Sequence, residues 1–243
     1  MALYVIADLH LSLGADKPMD VFGGLVEHVD RGVVEQRAGH HEALALAGAG
    51  LAVIGPEDTT VLPGDLSWAL GIEQAKEDFA FISAIPGRKI LLKGNHDYWW
   101  TTAAKFYKFC AEQGFSDMEI LHNNCHFYGD IALCGTRGWF YEEDKGGTHD
   151  EKVFRRELGR LETSLKAAGK REKLCFLHYP PRYQGYECPE ILELLERYGV
   201  RRCYYGHLHA ESHRLALQGN WHGIEFQLVS ADYVNFKPVK ILD

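Results

Sequence analysis

The chain has 243 residues, 46% of them hydrophobic and 12% aromatic, so it can bury one sizeable core, and we expect a single α/β domain over residues 1–243. Its formal net charge is −8 and its runs of Lys or Arg do not exceed two residues, which argues against long nucleic acid as a partner. A small phosphorylated substrate remains compatible, because a bound cation can supply the positive charge.

The location is predicted from the cysteines and the apolar segments. The six cysteines show no CxxC spacing, and we expect buried, reduced thiols in a cytoplasmic protein. The first ten residues lack the basic region of a signal peptide. The longest apolar stretch, 43–55, falls short of the ~20 residues of a membrane span, so no membrane association is expected.

Short apolar runs alternate with segments of helical periodicity, as is typical of an α/β fold. Helices are predicted over 71–85, from Thr148, where Thr148-x-x-Glu151 matches a capping box, and over 189–199. Residues 11–58 show no clear pattern, and no repeat or linker marks a domain boundary. The predicted strands are 3–7, 59–62, 89–92, 131–134, 174–177, 203–205 and 224–229.

Polar side chains follow five of these strands at their C-terminal ends. In open α/β sheets the ligand crevice lies at the carboxyl ends of the strands, so we expect these side chains to converge. They are Asp8 and His10 in "DLH", Asp65 in "GDLSW", Asn95, His96 and Asp97 in "GNHD", His178 in "LHYPP", and His207 and His209 in "GHLH".

The chemistry of this set favours metal binding. Carboxylates, an amide oxygen and imidazoles together suit Mn, Fe or Zn better than Ca or a thiolate-bound Zn. The donors are too many for one first-row ion. They suit two divalent transition-metal ions that share a carboxylate, and a pair ~3.5–4 Å apart is a recurrent solution for phosphoester hydrolysis.

The order of these motifs resembles the calcineurin-like metallophosphoesterase superfamily. The blocks D-x-H, G-D, G-N-H-D, a lone His and G-H-x-H occur in that order between Asp8 and His209. The words "KPMDVFGG", "GDLSWAL" and "GNHDYWW" further resemble a bacterial subgroup of predicted phosphohydrolases. The resemblance implies a sandwich of two mixed β-sheets flanked by helices, with a dinuclear metal centre at one edge.

The same resemblance assigns roles to the residues. It implies Asp8, His10 and His209 as ligands of one metal, Asn95, His178 and His207 as ligands of the other, and Asp65 as the bridge. His96 then faces the leaving group, which suits an imidazole acting as a general acid near neutral pH. The implied reaction is attack on phosphorus by a metal-bridging hydroxide.

Several neighbouring residues have two possible roles. Asp97 could orient His96 or cap a helix that begins near Thr101 and Thr102, and we favour the cap. Arg137 is a candidate phosphate clamp, and a structural salt bridge is an equal alternative. For Trp99 and Trp100 we favour core packing over stacking on a nucleobase, and a solvated loop is expected at Glu142–Asp144. Eight histidines are expected to be ordinary polar residues: His28, His40, His41, His122, His126, His149, His213 and His222.

One departure from the superfamily concerns substrate choice. Its Ser/Thr protein phosphatases carry G-D-x-V-D-R-G, and here Trp68 and Ala69 replace the second Asp and the Arg. This weakens a protein-phosphatase interpretation. Trp68 could pack internally or form a wall beside an organic leaving group, and the sequence leaves both open.

The sequence therefore predicts a metal-dependent phosphoesterase that hydrolyses a small phosphodiester or phosphomonoester, with His96 as general acid. One alternative is a nuclease for short single-stranded nucleic acid, although that branch of the superfamily adds a further domain. Another is a non-catalytic scaffold, like a retromer subunit that resembles these enzymes. In such scaffolds the catalytic His is typically lost, whereas this chain retains His96 and every expected ligand.

Overall fold

A computed structural model describes residues 1–14, 48–139 and 148–243 of the chain. The predictions for Glu142–Asp144, for His28, His40, His41 and His149, and for most of 11–58 lie outside the described residues. So does the capping box, because the side chain of Thr148 is not described.

Thirteen strands and four α-helices lie wholly within these ranges, and residues 48–51 are also helical. The helices are α1 (Lys76–Ala84), α2 (Ala103–Gln113), α3 (Thr148–Ala167) and α4 (Pro189–Arg197). The strands are β1 (Leu3–Val5), β2 (Thr59–Leu62), β3 (Arg88–Leu91), β4 (Met118–Ile120), β5 (His126–Tyr128), β6 (Ile131–Thr136), β7 (Lys173–Leu177), β8 (Arg182–Tyr183), β9 (Tyr186–Glu187), β10 (Arg202–Tyr205), β11 (Gly219–Trp221), β12 (Ile224–Leu228) and β13 (Val239–Leu242).

The two large sheets are both mixed. One has the order β13-β1-β2-β3-β4 and the other β11-β12-β10-β7-β6-β5, while β8 and β9 form a separate hairpin. The inner pairs are parallel, and the strands β13, β11 and β5 pair antiparallel at sheet edges. The predicted fold class, a sandwich of two mixed sheets with flanking helices, is confirmed.

Three apolar clusters make the layers of this sandwich. Residues such as Val61 and Ile90 of the first sheet share one buried cluster with Leu174 and Phe176 of the second. Two further clusters lie on the outer faces of the sheets. One lies between the first sheet and helices α1 and α2, and the other lies between the second sheet and helices α3 and α4. Both faces of the central strands are buried, so β2 and β7 are buried at every position. The last two residues of β2, Val61 and Leu62, and the last four of β7, 174–177, are apolar.

Helix α1 begins later than predicted, at Lys76 rather than at Gly71. The residues before it form hydrogen-bonded turns, in which Gly71 O accepts from the N–H groups of Gln74 and Ala75. The apolar spacing holds through these turns, since Ala75, Phe79 and Ile82 are all buried. Periodicity therefore located the buried face correctly and misplaced the helix start.

Helix α2 is capped by Thr102, not by Asp97. The Thr102 side chain accepts a hydrogen bond from the N–H of Lys105, and the helix ends at Gly114 in the left-handed conformation. The predicted cap by Asp97 is therefore wrong. Trp99 is buried in the core as predicted, and its neighbour Trp100 packs against the same cluster.

The cysteines and the helices bear on the predicted location. All six cysteines are free, and all except Cys125 are buried, as expected of reduced thiols. Among the residues that the structure describes, no helix is long and apolar enough to cross a membrane.

Candidate metal centre

The predicted ligands converge where strands of the two sheets end, and the backbone there is unusual. Asp8, His10, Asp65 and His207 all have positive φ, between 46° and 73°, a region that non-glycine residues rarely adopt. Strained backbone of this kind concentrates at functional sites. Here it lets the chain turn sharply just after a strand and present its polar side chains at one sheet edge.

The glycines of the motifs allow this close approach. A Cβ atom on Gly94 would lie 2.0 Å from Asp65 Oδ1, and one on Gly206 would lie 2.5 Å from Asp8 Oδ2. Any side chain would displace these carboxylates. The glycines before Asn95 and His207 are therefore required by the packing of the site itself.

Asp8, His10 and His209 form one group of candidate ligands. Each offers one ligand atom, and these atoms all lie within 4.8 Å of one another. The two imidazoles face each other, with 3.2 Å between His10 Nε2 and His209 Nε2. Burial raises the pKa of Asp8 to about 6. A cation bound nearby would favour the charged form of this carboxylate.

Asp65, His178 and His207 form the second group, and Asn95 joins it. The amide oxygen of Asn95 lies 2.6 Å from His178 Nε2 and 3.0 Å from His207 Nδ1. Burial lowers the pKa of His178 well below its usual value and that of His207 to about 3. Both imidazoles are therefore neutral near pH 7, which is the form that binds a metal.

Asp65 lies between the two groups. Its Oδ2 is 3.8 Å from His10 Nε2 and 3.5 Å from His178 Nε2, and no described residue donates a hydrogen bond to that oxygen. Its other oxygen accepts the backbone N–H of His96 at 2.8 Å. A buried carboxylate oxygen that lies near two imidazole nitrogens and accepts no hydrogen bond is suited to bind a cation between or beside them. The residues present thus fit two divalent ions.

Asp232 supports the first group and was not among the site residues predicted from the sequence. Asp232 Oδ1 lies 3.1 Å from His209 Nδ1, and Asp232 Oδ2 lies 3.2 Å from His213 Nε2. A carboxylate on the far nitrogen of a ligating imidazole fixes the ring orientation and its tautomer. His213 was expected to be an ordinary polar residue, and the structure places it behind His209 on the same carboxylate. The detectable signal was the position of Asp232, shortly after a strand of the same sheet.

Asp97 organises the loops under the site. Its carboxylate accepts hydrogen bonds from the backbone N–H groups of Gly94, Asp65, Leu66 and Ser67, and from the Trp99 indole N–H. The Asp97 side chain is fully buried. Asp97 thus joins the loop after β2 to the loop after β3.

His96 belongs to neither donor group. Its half-buried imidazole lies beside the first group, with 5.7 Å between its ring centroid and that of His10. The ring of Trp68 is closer still, at 4.4 Å. The structure therefore places the His96 ring beside the first donor group.

Arg137 occupies the loop after β6, next to the second group. Its carbonyl accepts the N–H groups of His178 and Tyr179, and its guanidinium lies 5.8 Å from the Tyr179 ring centroid. The guanidinium also lies 3.6 Å from a carboxylate oxygen of Glu157, which is paired with Arg160 as well. The salt bridge considered from the sequence is present, and a phosphate contact stays a prediction.

Comparison with known proteins identifies the family. The model of the calcineurin-like phosphoesterase family matches residues 1–211, a range that contains both donor groups. The chain belongs to the calcineurin-like phosphoesterase family. Members of this family are hydrolases that typically bind divalent metals, in agreement with the donor groups described above.

Comparison with solved structures finds similarity at low sequence identity. The phosphopantetheinyl hydrolase of Mycobacterium tuberculosis is 14% identical, with a TM-score of 0.61, over 99% of this chain and 95% of that chain. A protein of unknown function from Aquifex aeolicus is 17% identical, with a TM-score of 0.47, over 98% and 95% of the two chains. A search of curated proteins finds no match for the chain.

Proposed function

We propose that this calcineurin-like phosphoesterase uses two divalent transition-metal ions, Mn, Fe or Zn, to hydrolyse a small phosphodiester or phosphomonoester. One observation carries the proposal: Asp65 Oδ2 lies within 4 Å of an imidazole nitrogen from each donor group and accepts no hydrogen bond from the described residues. Asp8, His10 and His209 would hold one ion. Asn95, His178 and His207 would hold the other, with Asp65 shared.

The bound ions would supply an activated water and neutralise the charge that develops on the phosphoryl oxygens. The protein's own residues have distinct tasks. The carbonyl oxygen of Pro63 lies 3.2 Å from His178 Nδ1 and Asp232 lies against His209 Nδ1, so each imidazole keeps its Nε2 directed at the centre. His96 stands at the rim and donates a proton to the leaving oxygen, which assists alkoxides that leave poorly.

The charge and the thiols support the remaining parts of the proposal. A net charge of −8 disfavours long polyanions, so we propose a small phosphorylated substrate. Free cysteines suit a reducing compartment, so we place the reaction in the cytoplasm. The scaffold alternative is disfavoured because the candidate ligands and His96 lie within one site.

A substrate panel tests this function. Protein stripped of metal is reloaded separately with Mn, Fe, Zn, Ni or Mg, and each form is assayed on phosphomonoesters, phosphodiesters, cyclic nucleotides and short single-stranded DNA. Asp65→Asn is the inactive reference and Asp130→Asn, at an exposed position, is the matched control. Metal-dependent hydrolysis by the wild type and by Asp130→Asn, absent in Asp65→Asn, is expected. Wild-type rates no higher than those of Asp65→Asn with every metal would overturn the proposal, and selective cleavage of DNA would favour the nuclease.

A further inference from the structure

Trp68 is held firmly beside the metal centre. Its backbone N–H donates to Leu11 O at 2.9 Å, and Ser67 forms a β-bridge with Leu11. The Ser67 hydroxyl in turn donates to the buried carboxylate of Asp78 and accepts the N–H of Ala69. The loop that carries Trp68 is therefore fixed on both sides of the indole.

The indole contacts a candidate ligand and the candidate general acid together. Its ring is stacked on His10, with centroids 5.0 Å apart and an interplanar angle of 22°, and its centroid lies 4.4 Å from that of His96. The centroid of the Tyr98 ring lies 6.3 Å from that of His96, and Tyr98 is 56% exposed. Three rings, those of Trp68, His96 and Tyr98, thus make one aromatic edge of the site.

At Trp68 and Ala69 this edge is apolar, where the superfamily's protein phosphatases carry charge. Ala69 is fully buried, so the position after Trp68 offers the substrate neither a cation nor a hydrogen-bonding side chain. A leaving group within reach of His96 meets the indole next to it. Flat rings stack on such a surface through dispersion and their quadrupoles, whereas charged groups gain little there.

We propose that Trp68 binds the leaving group of the substrate, and that the substrates are phosphate esters whose leaving alcohol bears a planar aromatic or heteroaromatic ring next to the scissile oxygen. The inference rests on the proposed function, since it concerns the leaving group of that reaction. The competing role for Trp68 is positional: by stacking on His10 it could merely hold that imidazole for the metal. The two roles differ in what a substitution changes.

Paired substrates separate the two roles. Methyl phenyl phosphate and methyl hexafluoroisopropyl phosphate release alcohols of similar acidity, only one of which is planar. On Mn-loaded enzyme we expect a higher kcat/KM for the phenyl ester, and Trp68→Ala should reduce that preference by about five- to tenfold. Trp68→Leu keeps an apolar side chain against His10 and should lose the same preference. Phe127→Ala is the matched control, because it removes an exposed ring elsewhere. Phe127 lies on β5, which pairs with the start of β6, whereas the loop next to the centre follows the end of β6.

Metal content and ligand binding complete the test. Both Trp68 variants should retain the wild-type metal content, and calorimetry should show that phenylphosphonate loses affinity relative to ethylphosphonate in each. An unchanged substrate preference in metal-replete variants would overturn the inference, as would loss of metal from both. If the wild type hydrolyses no ester, the proposed function fails instead, and the phosphonate affinities alone then decide whether Trp68 binds a planar group.

Discussion

The carboxylate of Asp97 accepts a hydrogen bond from the backbone N–H of Asp65 at 2.8 Å, although the two residues follow different strands. The same carboxylate accepts the N–H of Gly94 at 2.7 Å, one residue before the candidate ligand Asn95. One buried side chain therefore sets the spacing between the shared carboxylate and a ligand of the second group. These hydrogen bonds contribute to the architecture of the centre.

Replacing Asp97 with Asn should destabilise both the fold and the centre. An amide side chain has one acceptor oxygen in place of two, so buried N–H groups of the two loops lose their partner, at ~1–3 kcal/mol for each unsatisfied group. We expect Asp97→Asn to lower the free energy of unfolding by about 2–4 kcal/mol, measured by urea denaturation. Asp130→Asn, on the surface, should change it by less than ~0.5 kcal/mol. Equal stability of the two variants would contradict this account of Asp97.

Removing the charge of Asp65 should affect both metals together. Elemental analysis of the wild type after gel filtration should find close to two transition-metal ions per chain. Asp65→Asn should reduce occupancy of both, because its Oδ2 faces a donor from each group. The protein should remain folded by circular dichroism. A variant that keeps one tightly bound ion would show that Asp65 does not bridge.

Asp232 should matter for one metal only. Its carboxylate contacts His209, which belongs to the first group, and His213, which belongs to neither group. Loss of a carboxylate behind a ligating imidazole typically weakens metal affinity by about 10–100-fold. Asp232→Asn should therefore release one ion at chelator concentrations that leave the other bound, while the exposed Asp243→Asn behaves as the wild type. Parallel loss of both ions would argue against this selective role.

The sequence predicted the central strands and the residues after them well, for a physical reason. Strands buried on both faces, such as β7, contain an uninterrupted apolar run, and the polar residue that follows the run is conspicuous. Short edge strands such as β4 and β11 carry no such signal and were missed. Asp232 and Asp97 were missed or misjudged because their partners are distant in sequence: His209 is 23 residues from Asp232, and Leu66 is 31 from Asp97. Supporting roles of this kind become visible only in three dimensions.

If His96 is the general acid, its loss should depend on the leaving group. His96→Ala should retain both metals, because His96 belongs to neither donor group, and should lower turnover by ~10²–10⁴ on esters of poor leaving groups. The loss should be smaller on p-nitrophenyl esters, whose leaving group needs little protonation. His222→Ala, at an exposed site on the β11–β12 turn, serves as the control. Equal losses on both types of ester would assign His96 another role.

The preference between diesters and monoesters follows from the charges around the centre. Trp68 and Ala69 supply no cation, and Arg137, the candidate phosphate clamp, already faces the carboxylate of Glu157 at 3.6 Å. A monoester dianion carries one more negative charge than a diester, so a shortage of fixed cations penalises the monoester more. With Mn, we expect bis-p-nitrophenyl phosphate or a 2′,3′-cyclic nucleotide to have a kcat/KM at least equal to that of p-nitrophenyl phosphate.

Arg137 is the residue that could reverse this preference. It lies close enough to the centre for its charge to oppose the rise that burial imposes on the pKa of Asp65. A tenfold or greater preference for the monoester would refute the expected order, and Arg137→Ala would then reveal the cause. If Arg137 turns from Glu157 to a bound phosphate, its removal should abolish the monoester preference. Arg160→Ala is the control, because it removes the other cation that pairs with Glu157. Glu157 is then left with Arg137 alone. Monoester hydrolysis should therefore weaken less in Arg160→Ala than in Arg137→Ala.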